Sequence, residues 1–387
     1  MGSRINIVGV MTGTSCDGLD AACISVDRQG WDLNWSSSAD YPSALRRRVI
    51  DFQKTNSLHT CKDFLHLHRD LGLWYGQTIK RILAGRKIKP DVIANHGQTI
   101  AHFPGPNGKG ATLQLGDPTR IVVATGKTVV SNFREGDIAA GGQGAPLASA
   151  FHQLVARSLD RKGKGIAIHN IGGISNLTYV GSKDRVLAFD TGPGNIWIDA
   201  AAERVTQGRW KMDRGGKLSS QAKPDSDTVK ALLKHTYFSL GVPKTTGRDD
   251  FPLSDFFAKA KVKGPALVAT ALEVTVESIA RAYETWILKK GLPLQTILIS
   301  GGGAKNATLM RRLQARLPYI MIDDLSKYGN DPQYIEAQAF AILGFFSLIG
   351  KPVGGTWTGV KEFGPPGYII PGKNWYEVVA KIHRIPL

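Results

Sequence analysis
A chain of 387 residues is longer than one hydrophobic core usually fills, so two domains are expected. With 42% hydrophobic and 21% charged residues the composition excludes a disordered or fibrous protein, and no run approaches the ~18 apolar residues of a membrane span. The formal charge of +17 suits an anionic ligand such as a nucleotide; the basic residues are dispersed and form no basic aromatic groove, so no nucleic-acid or membrane partner is expected.

From the start, residues 5–10 and 19–26 read as two strands. The turn between them, Gly13-Thr14-Ser15-Cys16-Asp17-Gly18, reads either as an ordinary hairpin loop or as a phosphate cradle. In a cradle, glycines let N–H groups approach an anion, hydroxyls add donors, and Asp17 holds a metal ion directly or through water. Residues 31–37 form a third strand, and 42–54 and 61–83 carry helical periodicity. A short strand at 91–94 leads into the polar run containing His96, Gln98 and Thr99. Next come a strand at 111–115 ending near Asp117, a helix at 118–124 and a strand at 128–130. His96 is either a base or a structural histidine bonded to a carbonyl.

The run FREGDIAAGGQGAPL, 133–147, sets Arg134, Asp137 and Gln143 among glycines. It suits recognition of sugar hydroxyls, with a mobile hinge as the alternative. The pattern then restarts with strands at 165–169 and 176–180 around a turn holding Gly172 and Gly173. IAIHNIGGISNLTYV is built like the opening strand–turn–strand, an internal duplication. A strand at 185–189 runs into Asp190, followed by TGPGN and a helix at 196–205. Asp190 reads as a general base at a strand end or as a helix N-cap. Helices follow at 225–233, 253–260 and 265–289, a strand at 296–300, and helices at 307–317 and 334–348. Between the last strand and the next helix, Gly301, Gly302 and Gly303 permit close approach of a flat ligand such as adenine or ribose. Cys16, Cys23 and Cys61 show neither metal spacing nor a disulfide framework, and nothing at the N-terminus reads as a secretory leader, so a cytoplasmic protein is expected. No P-loop or dinucleotide fingerprint occurs.

Nine blocks in order give the chain a resemblance to the anhydro-N-acetylmuramic acid kinase family of the actin-like sugar-kinase superfamily. They are MTGTSCDGLDAA, NHGQTIAH, LGDPTR, FREGDIAAGGQGAPL, NIGGISNLT, AFDTGPGN, KTTGRDDF, SGGGAKN and IEAQAFAILG. The resemblance implies an α/β fold of two ribonuclease-H-like domains around a nucleotide- and sugar-binding cleft, divided as 1–132 and 133–387 with the last ~20 residues packing back on the first domain. It implies ATP with Mg²⁺ at Gly13–Asp20, including Leu19 and Asp20, with the glycine loops completing the nucleotide site and Asp17 as the metal ligand. Asp190 is the implied base, and sugar contacts are expected from His96, Gln98, Thr99, Asp117, Arg134, Asp137, Gln143, Gly192 and Asn195. The implied activity is ATP-dependent opening and 6-phosphorylation of 1,6-anhydro-N-acetylmuramic acid in peptidoglycan recycling, by a homodimer. A kinase of another anhydro sugar, such as levoglucosan, and a non-catalytic nucleotide-dependent sugar sensor are the alternatives. Near the C-terminus the family carries a GAR-x-P-x-V-L-G-like block, where this chain has GVKEFGPPGY.

Overall fold
The computed structural model describes residues 4–13, 16–54, 57–105, 109–160, 163–182, 185–247, 249–329, 331–360, 364 and 366–385. Thr14 and Ser15, both expected at the nucleotide, lie outside the described residues, as does part of the altered C-terminal block. Two compact units divide the chain, one formed by 1–151 with 333–387 and the other by 152–332. The sequence-based division at 132/133 falls inside the first unit.

The first unit is built on a mixed sheet. Strands β1 (Ile5–Thr12), β2 (Gly18–Val26) and β3 (Trp31–Asp40) form an antiparallel meander. β4 (Val92–Phe103) and β6 (Thr128–Ser131) extend it in parallel from β1, and β5 (Ala111–Leu115) pairs with β4. The order is β3-β2-β1-β4-β6, with β12 (Tyr368–Ile370) added antiparallel to β6. Helices α1 (Ser43–Phe52), α2 (Cys61–Ala84) and α3 (Pro118–Thr125) bury one face through Leu45, Val49, Leu67, Leu71, Ile79 and Ile121. α2 begins at a capping box in which Thr60 and Asp63 satisfy each other's main-chain N–H. α11 (Ile335–Leu348) packs against β1, β2 and β4 so closely that a Cβ on Gly9 would lie 1.8 Å from the Ala337 carbonyl oxygen.

The second unit repeats the plan. β7 (Ile166–Ile171), β8 (Ile174–Val180) and β9 (Val186–Pro193) form the meander, and β10 (Thr296–Ser300) and β11 (Met321–Asp324) run parallel to β7. The order β9-β8-β7-β10-β11 matches β3-β2-β1-β4-β6 strand for strand. The duplication read from two hairpins therefore extends to both sheets, and each has ribonuclease-H-like topology. α6 (Ile196–Val205), α7 (Ser226–Leu232), α8 (Leu253–Lys259), α9 (Pro265–Trp286) and α10 (Ala307–Arg316) enclose the core around Phe189, Trp197, Phe251 and Tyr283.

Three local expectations change. The run 95–99 is part of β4, because β5 gives it an antiparallel partner. Residues 133–139 form α4 (Phe133–Ala139), not a loop, and the following α5 (Ser149–Leu159) was not anticipated. β9 continues through Pro193 and α6 begins only after Asn195, so Asp190 is not a helix cap. No described helix is long and apolar enough to cross a membrane.

Candidate active site
In the first unit the carboxyl end of β1 meets the middle of β4, where the parallel register pairs Thr12 with Gln98. Gly13 O accepts from Cys16 N at 3.1 Å and from Gln98 Nε2 at 3.2 Å. Cys16 has φ of 56° and is fully buried, its thiol donating to Gln53 Oε1. Arg46 donates to the Cys16 carbonyl at 2.8 Å and pairs with the exposed Asp17 carboxylate at 3.3 Å. Under this turn runs a buried polar network. Thr12 Oγ1 meets Gly97 O at 2.8 Å and Tyr75 OH at 3.1 Å, and Tyr41 OH bonds Tyr75 OH and Gln98 Oε1, each at 3.0 Å. Burial pushes both tyrosine hydroxyls up, Tyr75 to about 12, so they stay neutral. Gln98, expected at the sugar, has both ends of its amide engaged in supporting the turn. Leu19 points into the core, and Asp20 accepts from Ser38 Oγ at 2.6 Å and Gln333 Nε2 at 3.3 Å.

On the α11 side of β4, buried His96 lies against Phe340, and its Nε2 accepts from Arg134 Nε at 3.0 Å. Burial, reinforced by Arg134, holds the imidazole well below its usual range, so it is a neutral acceptor rather than a base. Arg134 also donates to Gly144 O at 2.6 Å. Asp137 is 1% exposed, and its two oxygens accept from Thr358 Oγ1 at 2.6 Å and Gly144 N at 2.7 Å. Its carboxyl is raised by burial, against the opposing effect of these donors and of Arg134. Asp137 thus fastens the turn after α4 to 354–358, where Gln143 N also donates to Thr358 O. Asp117 caps α3, accepting from Thr119 N at 2.9 Å, and Thr99 Oγ1 accepts from Gln114 at 3.4 Å. Glu336 is exposed in the first turn of α11.

In the second unit the carboxyl ends of β7, β9 and β10 share one edge. The Gly172-Gly173 turn accepts from Gly194 N at 2.9 Å and Asn195 N at 2.7 Å, and Asn195 Nδ2 donates to Ile171 O at 3.0 Å. The glycine triplet after β10 divides in two. A Cβ on Gly301 would strike Asn170 Oδ1 at 2.4 Å and one on Gly303 would strike Ile171 at 2.5 Å, whereas Gly302 would meet only Asn195 Nδ2 at 3.4 Å. Two of the glycines serve packing; Gly302 leaves room for a ligand.

Asp190 sits where β9 slips register, with Asn176 opposite Asp190 and Ser175 opposite Gly192. Thr191 is the extra residue, and such bulges re-aim neighbouring side chains. Thr191 Oγ1 is anchored to Ser175 Oγ at 2.9 Å, Ser175 meets His169 Nε2 at 2.6 Å, and His169 Nδ1 meets Tyr283 OH at 2.9 Å. Burial holds His169 at about 3, so this chain is neutral. Asp190 is 7% exposed, and its Oδ2 accepts from Thr245 Oγ1 at 2.7 Å and Thr246 N at 2.8 Å. Two donors to one carboxylate oxygen favour the ionised form that a general base needs. Thr245 and Thr246 belong to the quoted KTTGRDDF block, but no reading of the sequence alone gave them a role. No group of three or more metal-ligating side chains occurs among the described residues.

A sequence model of the anhydro-N-acetylmuramic acid kinase family matches residues 5–365. An anhydro-N-acetylmuramic acid kinase of Shewanella sp. (strain ANA-3) is 38% identical over 358 residues, covering 89% of this chain and 92% of that one. Its counterpart from Caldanaerobacter subterraneus subsp. tengcongensis is 34% identical over 366 residues, with coverage of 89% and 91%. Among solved structures, the activator of 2-hydroxyisocaproyl-CoA dehydratase from Clostridium difficile with bound ADPNP is similar at 14% identity and TM-score 0.40, covering 88% of this chain and 94% of that one. A ROK hexokinase from Thermus thermophilus is similar at 12% identity and TM-score 0.37, covering 87% and 97%. At these scores the structural likenesses add nothing to the topology. The sequence match spans both units and every quoted block, and the chain belongs to the anhydro-N-acetylmuramic acid kinase family.

Proposed function
We propose that this protein cleaves the 1,6-anhydro bridge of 1,6-anhydro-N-acetylmuramic acid with water and phosphorylates O6 from ATP. The observation that carries the reading is the Asp190 carboxylate, fixed at the bulge within β9 by Thr245 and Thr246 in a chain of this family. Asp190 takes a proton from the water as its oxygen bonds to C1 and the C1–O6 bond breaks. O6 bonds to the γ-phosphorus, the bond to the β,γ-bridging oxygen breaks, and N-acetylmuramic acid 6-phosphate and ADP leave. Phosphoryl transfer asks for positioning and charge neutralisation, which main-chain N–H groups of the turns supply.

ATP phosphates are assigned to the Gly13–Gly18 turn, and adenosine to the open face at Gly302. The exposed Asp17 carboxylate would hold a Mg²⁺ ion directly or through water, and among the described residues it is no part of an all-protein cage. Such an ion neutralises phosphate charge. Among the expected sugar contacts, Arg134, Gln143 and Asn195 remain assigned to the sugar; a Cβ on Gly192 would strike the Phe238 ring at 2.7 Å, so this glycine serves packing, and His96, Gln98, Thr99, Asp117 and Asp137 are assigned to support. A cytoplasmic homodimer completes the reading. The test is ADP release with MgATP and 1,6-anhydro-N-acetylmuramic acid, against levoglucosan and no sugar. Equal release in all three overturns it; release with levoglucosan alone reassigns the substrate.

A further inference from the structure
The 244–247 segment contributes more than two donors to Asp190. It carries Lys244, a lysine only 8% exposed. Lys244 Nζ donates to Tyr237 O at 3.0 Å and lies 4.5 Å from the centre of the Tyr237 ring. Tyr237 OH donates to Asp190 O at 2.7 Å, and Asp190 N donates to Lys244 O at 3.0 Å. Three residues from three segments thus close a ring in which each donates to the main-chain carbonyl of the next. With Thr245 and Thr246 on Oδ2, main chain and carboxylate of Asp190 are both fixed.

An apolar side chain would fill this space without the cost of taking an ammonium out of water. Burial lowers the Lys244 ammonium to about 8, and the Asp190 carboxylate is the group that opposes this. We propose that Lys244 is a positioning residue for the reaction, aiming the Asp190 carboxylate through Tyr237 and favouring its ionised form by charge. The proposal rests on Asp190 being the base. Among the described residues, other titratable groups also act on this position. Tyr237 is kept neutral by burial, with Asp190 and Asp250 adding to the effect. Asp250 accepts from Thr246 Oγ1 at 2.6 Å and Gly247 N at 3.2 Å, and its charge acts on Asp190 against that of Lys244. His235 accepts from Tyr237 N at 3.3 Å, and on the sheet side neutral His169 stands behind Ser175.

The sign follows directly. A nearby ammonium lowers the pH at which Asp190 loses its proton, so removing it moves the acid limb of the rate profile to higher pH. The test measures kcat and KM for ATP and sugar across pH in Lys244→Met, Lys244→Arg and Tyr237→Phe, with Asp190→Asn as reference. Lys244→Met should move the acid limb up by about one unit, a roughly tenfold loss on that limb, with the profiles converging at higher pH. Its KM for ATP should hold, and its melting temperature should hold or rise because a desolvated charge is gone. Lys244→Arg should restore the limb, and Tyr237→Phe, which keeps the charge, should lower kcat without moving it. A Lys244→Met profile superimposed on the wild type, with Asp190→Asn inactive, overturns the inference and leaves the base reading intact. Full activity in Asp190→Asn removes the base reading and this inference with it. If Lys244→Met does not fold, unchanged kcat in Tyr237→Phe overturns the proposal.

Discussion

The hairpins that open the two sheets share a topology and differ in what they carry. The β1–β2 turn is five residues long and ends in Asp17, whose side chain is 74% exposed and paired with Arg46. The β7–β8 turn is two glycines without charge, and the carboxylate of that unit lies two strands away on β9, buried among donors. A group that meets phosphate and a hydrated cation works in water and adjusts to them. A group that takes a proton along one direction must be aimed, which buried donors accomplish. Behind both turns stands a neutral buried network, Thr12–Tyr75–Tyr41–Gln98 in one unit and Thr191–Ser175–His169–Tyr283 in the other. The duplicated frame is thus supported alike and, in the proposed function, used differently.

The most direct way to break this comparison is Asp190→Asn. The amide oxygen still accepts from Thr245 and Thr246, and no helix cap is lost because α6 begins only after Asn195. Removing a general base costs about 10²–10⁴ in rate, roughly 3–5 kcal/mol of barrier. Product formation should collapse while calorimetry still shows both ligands binding and the melting temperature moves little. Near-normal turnover would transfer the role, with Glu336 the next candidate.

A second contrast lies within the glycine triplet. Gly303→Ala puts a methyl group into Ile171, and such overpacking costs about 1–3 kcal/mol, visible in denaturant melts. Gly302→Ala meets only an amide at contact distance, so its melt should match the wild type while ATP-analogue affinity falls. The opposite pattern would mean that the ligand face has been assigned to the wrong glycine.

Asp137 and Gln143 lie six residues apart and separate fastening from recognition. Asp137→Ala leaves Gly144 N–H and the Thr358 hydroxyl short of a partner, at about 1–3 kcal/mol of stability. Because its folded carboxyl is raised above the usual range, the folded state binds more protons just above the unfolded value. Stability from this group therefore falls as pH rises through that window. Asp137→Asn should flatten this dependence in pH-resolved melts. Gln143→Ala should leave the melt alone and weaken sugar binding while sparing nucleotide; equal loss of both ligands would make the whole turn structural.

How much of this was legible in sequence depended on whether a residue's partners lie nearby in the chain. The hairpin repeat and the helix at 196–205 follow from periodicity, whereas the expected strand end before Asp190 does not, because pairing with β8 carries β9 on through Pro193. The roles of Gln98 and Asp137 do not, because polarity beside glycine reads alike for a ligand contact and a buried strut. Their partners Tyr41 and Thr358 stand 57 and 221 residues away. β11, β12 and α12 (Trp375–His383) escaped for another reason: the strands have three or four residues, and pairing with β10 and β6 makes them strands. Tyr237 left no signal at all. Its hydroxyl reaches a main-chain carbonyl 47 residues away, which no pattern of side chains records.

The smallest effect is expected at Asp17, and it tests the exposed half of the comparison. The Asp17–Arg46 pair is open to solvent at 3.3 Å, and exposed pairs contribute little, about 0–1 kcal/mol. Asp17→Asn should therefore leave the melting curve in place, since Tyr41 N and Arg46 still hold the carbonyls of this turn. In the proposed function the carboxylate acts only when phosphate and cation are present. Titrating turnover against Mg²⁺ at fixed ATP should show half-maximal activity displaced several-fold to higher Mg²⁺, the order of one lost charge-assisted contact of about 1 kcal/mol. Excess Mg²⁺ should recover most of the rate, which it cannot do for Asp190→Asn. If Asp17→Asn matches the wild type at every Mg²⁺ concentration, the ion is held without this carboxylate, and the β1–β2 hairpin is left with main-chain donors alone.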